Sequence, residues 1–331
     1  MKFEVPDFLA GSQIDNAEAV GDNMVQTFQL EESQIRGRAA RLGSILNEIL
    51  EPHNYPEPVA HLVAETITLT LLLSSMLKYE GIFTLQTKGD GPVSMLVADI
   101  TSDGQIRGCA NFDPERLEHA AERLSALQAT ESSQNQLAQY LGKGYIAFTV
   151  DPGGTMDRYQ GIVELSGSSL VDCVQHYFNQ SEQIGTGIKM AVGKRGSQWR
   201  SGAIMLQHMP EDGKNLAAGV TNTREDDWRR SMILLDTCTA DELLDTKLDS
   251  NQLLFRLFHE EGVRVYGPET VRKGCRCSAE KVETMLMMMS LDDLDYMNKD
   301  GHIEVRCEFC SSDYRFDFEP LRRKIMSNHK P

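Results

Sequence analysis

Four cysteines constrain this chain more than any other feature. Cys275 and Cys277 are separated only by Arg276. Cys307 and Cys310 flank Glu308-Phe309, and residues 278–306 lie between the two pairs. Four thiolates in two tight pairs match a tetrahedral zinc site in number and softness. Residues two apart in an extended segment point to the same side, so Cys275 and Cys277 can reach one metal together. The second pair is an ordinary zinc knuckle, whereas the tighter first pair is unusual. The pattern predicts one Zn2+ per chain held by Cys275, Cys277, Cys307 and Cys310. Arg272, Lys273, Arg276 and Lys281 lie close in sequence to the first pair. Positive charge favours the thiolate, the better metal ligand and the better nucleophile toward an oxidant. The plainer alternative is a structural zinc that never changes redox state.

The chain has 331 residues, 40% of them hydrophobic, which suggests two domains or one domain plus a small module. Its net charge of −16 argues against nucleic acid as a partner, since phosphate binding needs a basic surface. The longest apolar run, residues 61–79, is interrupted by Glu65, Thr66, Thr68 and Ser74. It reads as a buried core helix rather than a membrane span, so no membrane partner is expected. No basic region followed by an apolar stretch opens the sequence, so no secretory signal is expected. Together with thiolate ligands this predicts the cytoplasm, where thiols stay reduced. Cys109, Cys173 and Cys238 are isolated and read as small buried hydrophobes.

Residues 1–27 are polar and read as an N-terminal extension. Residues 28–221 read as an α+β body of antiparallel sheets with helices, on hairpin signals such as Gly89-Asp90-Gly91-Pro92 and Thr101-Ser102-Asp103-Gly104. Within it, residues 34–50 carry Ala39, Leu42, Ile45, Leu46 and Ile49 at three- and four-residue steps, which predicts an amphipathic helix. Arg36, Arg38 and Arg41 interleave with that stripe. Residues 222–273 read as a helical linker. Its last helix, residues 250–261, presents Leu253, Leu254, Leu257 and Phe258 on one face, which must bury against something. Residues 274–318 read as a small C-terminal zinc-binding α+β module, with helices capped by Ser278 and Ser290 and a hairpin carrying the knuckle. Residues 319–331 read as a loose basic tail.

Other signals lead nowhere. Gly185-Thr186-Gly187 lacks the third glycine of a dinucleotide loop, and His259-Glu260-Glu261 lacks the second histidine of a zinc protease. Tyr296 and Cys307 stand where a calcium loop needs its first and last ligands. Met285, Met287, Met288 and Met289 are read as helix packing rather than as an oxidation target or a pliable client surface. No nucleophile–base–acid set stands out, so no catalytic residues and no enzyme activity are expected.

Cys275-Arg276-Cys277-Ser278, Asp300-Gly301-His302-Ile303-Glu304-Val305, Cys307-Glu308-Phe309-Cys310 and Tyr314-Arg315-Phe316 together resemble the redox-switch domain of the 33 kDa chaperonin (heat-shock protein 33) family. Leu257-Phe258-His259-Glu260-Glu261, Gly104-Gln105-Ile106-Arg107-Gly108, Tyr159-Gln160-Gly161 and Ser181-Glu182-Gln183 extend the resemblance over residues 28–318. The resemblance implies a bacterial ATP-independent holdase switched on by oxidation, with unfolded or partly unfolded proteins as clients. It implies zinc release, unfolding of module and linker, and a homodimer in the oxidised state. It places the arginines of the early segment on a functional surface. Resemblance and spacing together favour local disulfides, Cys275 with Cys277 and Cys307 with Cys310, the first needing some backbone adjustment. The rival reading is a zinc-stabilised protein-binding module without redox switching. A thiol oxidoreductase would need a reactive dithiol outside the metal site.

Overall fold

Helix α2 is almost wholly buried, and two largely antiparallel sheets are wrapped around it. The computed structural model describes residues 21–127, 136–154, 157–208 and 220–328. Strands β1 (Met24–Leu30) and β2 (Ile35–Leu42) lead through α1 (Ser44–Leu50) into α2 (Glu57–Ser74). Strands β3 (Ile82–Gly89), β4 (Val93–Thr101) and β5 (Gln105–Phe112) form a meander, followed by α3 (Pro114–Leu127) and α4 (Gln136–Leu141). Strands β6 (Gly144–Asp151) and β7 (Tyr159–Glu164), α5 (Leu170–Tyr177), β8 (Thr186–Arg195) and β9 (Gln198–His208) complete the body. Helices α6 (Val220–Asp236), α7 (Ala240–Leu244) and α8 (Ser250–Phe258) come next, then short strands β10 (Val263–Val265), β11 (Glu269–Thr270) and β12 (Arg272–Lys273). The chain ends in α9 (Ala279–Leu286), α10 (Leu291–Met297), β13 (His302–Arg306), β14 (Asp313–Asp317) and α11 (Phe318–Asn328).

Pro56 and Pro58 set the start of α2, where a missing N–H costs nothing. Its threonines are satisfied within the helix: Thr66, Thr68 and Thr70 hydroxyls each donate to the carbonyl four residues back at 2.7 Å. The strand order β10-β1-β2-β9-β8 makes one sheet, with β11 also on β1, and β12-β5-β4-β3-β6-β7 makes the other. The main core joins α2 to the inner faces of both. Among the described residues, no helix is long and apolar enough to cross a membrane.

A second core lies on the opposite face of the first sheet. There Phe28, Leu30, Ile35, Ala39, Ile204 and Leu206 pack against Leu253, Leu254, Leu257 and Phe258 of α8. Phe28 and Phe258 stack with ring centroids 5.9 Å apart. Gly37 permits this layer: a Cβ there would fall 2.0 Å from Phe28 Cζ. A third core belongs to the C-terminal module, around Leu286, Leu294, Ile303, Phe318, Leu321 and Ile325.

Three expectations change. Residues 34–50 are not one helix. Residues Ile35–Leu42 form β2, paired with β9 over its whole length and with β1 from Ile35 to Arg41. Pairing on two sides outweighs the helical spacing of Ala39 and Leu42. Strand β1 starts at Met24, so the last residues of the expected extension at 1–27 belong to the body's first sheet. Residues 318–328 form a helix, not a loose tail, because Phe318, Leu321 and Ile325 recur at helical spacing and fill the module core. The expected extension at residues 1–20 lies outside the described residues. So do residues 128–135, 155–156 and 209–219, all within the expected body.

Candidate metal centre

Backbone geometry brings both cysteine pairs together. Strand β12 pairs in parallel with the start of β5, and Gly274 N–H donates to the Ile106 carbonyl, which fixes where Cys275 begins. The other pair sits on the turn between β13 and β14. Ser311 N–H donates to the Cys307 carbonyl at 2.8 Å, and Cys307 N–H to the Ser312 carbonyl at 2.9 Å. Ser311 takes φ of 57° to close that turn.

The four sulfur atoms all lie within 4.8 Å of one another. Cys275 Sγ is 3.7 Å from Cys307 Sγ, and Cys277 Sγ is 3.4 Å from Cys310 Sγ. A tetrahedral zinc with bonds of about 2.3 Å separates its sulfurs by about 3.8 Å. The donor set therefore fits one metal ion in number, spacing and softness. Cys109, Cys173 and Cys238 are buried and apart from the cluster. Burial raises all three thiols, Cys109 to about 12 and Cys238 to about 11.

The cluster shares its protons unevenly. Burial raises Cys277 to about 12, partly offset by the Tyr314 hydroxyl, which donates to its sulfur at 3.0 Å. Burial opposes ionisation of Cys310 too. Hydrogen bonds with the Ser312 side chain and backbone, and from the sulfurs of Cys277 and Cys307, bring it down to about 6. Cys310 is thus easier to ionise than Cys277 and Cys307, whose protons a divalent cation would displace on binding.

The body reaches the centre through residues the sequence did not single out. Arg107 on β5 makes hydrogen bonds of 3.1 and 3.0 Å to the carboxylate of Asp99 on β4. The same guanidinium lies 3.7 Å from the centroid of the Phe309 ring, inside the knuckle, and its Nη1 is 3.6 Å from Cys275 Sγ. Arg276 closes the group, with Nη2 2.9 Å from Asp99. On the other side, His53 Nε2 is 3.3 Å from the Phe309 carbonyl and the Ser311 hydroxyl is 3.1 Å from His53 Nδ1. One neutral tautomer satisfies both bonds, and burial lowers the His53 pKa in keeping with that. The basic residues near Cys275 in sequence have other partners: Arg272 pairs with Asp103, and Lys273 and Lys281 donate to the carbonyls of Glu48 and Arg276. The available signal for Arg107 was a buried-strand pair of opposite charges directly across a hairpin, Asp99 opposite Arg107.

The linker leads directly into this site. Arg41 on β2 donates to the carbonyls of Asp245 and Leu248, and Arg230 on α6 pairs with the buried Glu261 after α8. Arg38 is buried on the inner side, its pKa lowered to about 10 by burial.

The family model for the Hsp33 protein matches residues 23–317. This chain belongs to the Hsp33 family. The 33 kDa chaperonin of Caulobacter vibrioides is 38% identical over 301 residues, covering 89% of this chain and 95% of that protein. The 33 kDa chaperonin of Shigella flexneri is 32% identical over 310 residues, covering 93% and 98%. The crystal structure of the 33 kDa chaperonin from Thermotoga maritima superposes with a TM-score of 0.74 at 19% identity, covering 92% of this chain and 98% of that one. That structure shares the fold of this chain, antiparallel sheets with helices. Membership in the Hsp33 family makes the chain a chaperone, and four close cysteines give this Hsp33 chain a place to hold a metal ion.

Proposed function

We propose that the chain is a redox-regulated, ATP-independent holdase of the cytoplasm that binds unfolding proteins under oxidative stress. The observation that carries this reading is continuity. The segment that supplies Cys275 and Cys277 is the direct extension of the linker that covers the apolar face of the first sheet. The bound metal is Zn2+, one per chain, held by Cys275, Cys277, Cys307 and Cys310. A zinc ion supplies the binding energy that a small module lacks, on the order of 10–16 kcal/mol in zinc peptides. Arg107 and Arg276 offset the negative charge of the thiolates, and Tyr314 and Ser312 orient two of the sulfurs.

An oxidant such as hydrogen peroxide takes two electrons from each thiol pair, forms one S–S bond and leaves as water. Two such events remove all four ligands. Local pairing, Cys275 with Cys277 and Cys307 with Cys310, leaves the module free to unfold, whereas a crosslink between the pairs would restrain it. Loss of the module removes the anchor at β12. The linker face of Leu253, Leu254, Leu257 and Phe258 then gives up its masking role, and clients gain access to the sheet beneath. A homodimer of the oxidised form belongs to the same reading.

The test compares metal-loaded reduced protein with peroxide-treated protein in suppressing aggregation of a thermally unfolding client. Suppression by the oxidised form alone, with disulfides mapping within each pair, is the expected result. Equal suppression by both forms would favour a zinc-stabilised binding module without a switch.

A further inference from the structure

We infer that β1 is a capture edge for unfolded polypeptide, filled in the resting protein by the chain's own residues 261–271 as an internal stand-in for a client. This rests on the holdase reading and specifies how a client is held. In the first sheet the order β10-β1-β2-β9-β8 leaves β1 at the edge once the linker strands are taken away. The linker occupies that edge almost end to end. Val263, Arg264 and Val265 lie opposite Leu30, Gln29 and Phe28, and Glu269 and Thr270 lie opposite Val25 and Met24. Tyr266 N–H donates to the Thr27 carbonyl at 2.9 Å, Val271 N–H to the Asn23 carbonyl at 2.9 Å, and Glu31 N–H to the Gly262 carbonyl at 3.1 Å. Peptide groups alternate in direction along a strand, so Val25 and Gln29 turn theirs toward the linker, as Glu31 does just beyond the strand.

The side chains of the stand-in define what fits. Val263 and Val265 face the same way as Phe28 and Leu30 and join their apolar layer. Arg264 between them reaches out to Glu31 at 2.5 Å. The edge therefore fits an extended segment with apolar residues at alternate positions and favours a basic residue between them. An unpaired edge with an apolar face beside it is a template for a foreign strand. Main-chain hydrogen bonds supply affinity that does not depend on sequence, which suits a protein that must accept many clients. Departure of α8 widens the same site, because Phe28, Leu30, Ile35, Ile204 and Leu206 lie next to the edge.

The experiment follows amide exchange of Val25, Gln29 and Glu31 in the full chain. These amides are expected to be protected in the reduced, metal-loaded protein. They should exchange roughly tenfold faster or more once oxidised, and regain protection when a thermally unfolding client is bound. A synthetic peptide with the sequence of residues 260–271 is expected to displace client from the oxidised protein. The same peptide N-methylated at Arg264 and Tyr266 keeps every side chain but lacks two edge-facing donors, and should compete roughly tenfold less well or worse. Client held while the three amides still exchange freely, or equal competition by the methylated peptide, would overturn the capture edge and leave the holdase reading standing. An oxidised protein that holds no client at all would overturn both.

Discussion

Arg107 is the residue at which the charge of the cysteine cluster meets the body. Its guanidinium serves Asp99, the Phe309 ring and Cys275 Sγ together. A lysine could not fork to a carboxylate and lie flat on a ring at once. Arg107→Ala is expected to leave the four ligands and the metal content unchanged while weakening the seat of the module by about 3 kcal/mol. That is the low end for breaking a buried pair, because Arg276 still reaches Asp99. The check is the rate of metal loss to a chelator, which should rise while stoichiometry stays at one. An unchanged rate would show that the arginine is mere packing. Glu65, half-buried on α2, offers a test remote from the metal. Burial raises its carboxyl to about 7, against about 4.3 for a free glutamate. Above pH 7 both folded and unfolded states are ionised, and the folded state bears the desolvation cost. As pH falls toward 4 the cost disappears. Glu65→Gln should therefore stabilise the body at pH 8 by on the order of 2–3 kcal/mol and by progressively less toward pH 5, read by thermal unfolding. A gain independent of pH would refute the assignment.

Helix α8 shows what pattern alone makes legible in an element. Leu253, Leu254, Leu257 and Phe258 sit on one face by helical spacing, and the structure buries all four. What the pattern did not supply was the partner. Phe28, Leu30 and Ile204 come from strands far away in sequence, and only the sheet brings them together. Replacing Leu257 and Phe258 with serine removes two large buried side chains, each contributing about 1.5–3 kcal/mol. The expected result is a metal-loaded, reduced protein with faster exchange across residues 240–271 and partial holdase activity without oxidant. Unchanged linker protection with metal bound would contradict the masking role. Strand β2 shows the opposite case. Ala39, Leu42 and Ile45 have helical spacing, yet β1 and β9 claim the first part of that stretch from both sides. Arg41, read within a helix stripe, instead points to the linker carbonyls. In α11 the apolar spacing of Phe318, Leu321 and Ile325 was readable, but Arg322, Arg323 and Lys324 on the outer face made the segment look like a tail.

At the scale of the molecule, two covers of different chemistry share one strap. The linker helices seat on the first sheet through apolar contact, and the module seats on the second through Arg107, Asp99 and Arg276 and on the segment before α2 through His53. Strands β10, β11 and β12 join the two, pairing first with β1 and then with β5. The cysteine spacing announced the metal centre, because ligand chemistry is local. The coupling between centre and linker was implied by the family resemblance, but its route was not legible, because it depends on which sheet edges the strap reaches. One time course separates a coupled release from an uncoupled one. Zinc release and amide exchange at Leu253, Leu254, Leu257 and Phe258 would be followed in the same sample after addition of peroxide. The account predicts that protection of α8 is lost with the same rate constant as the metal. Complete zinc release with α8 still fully protected would contradict it.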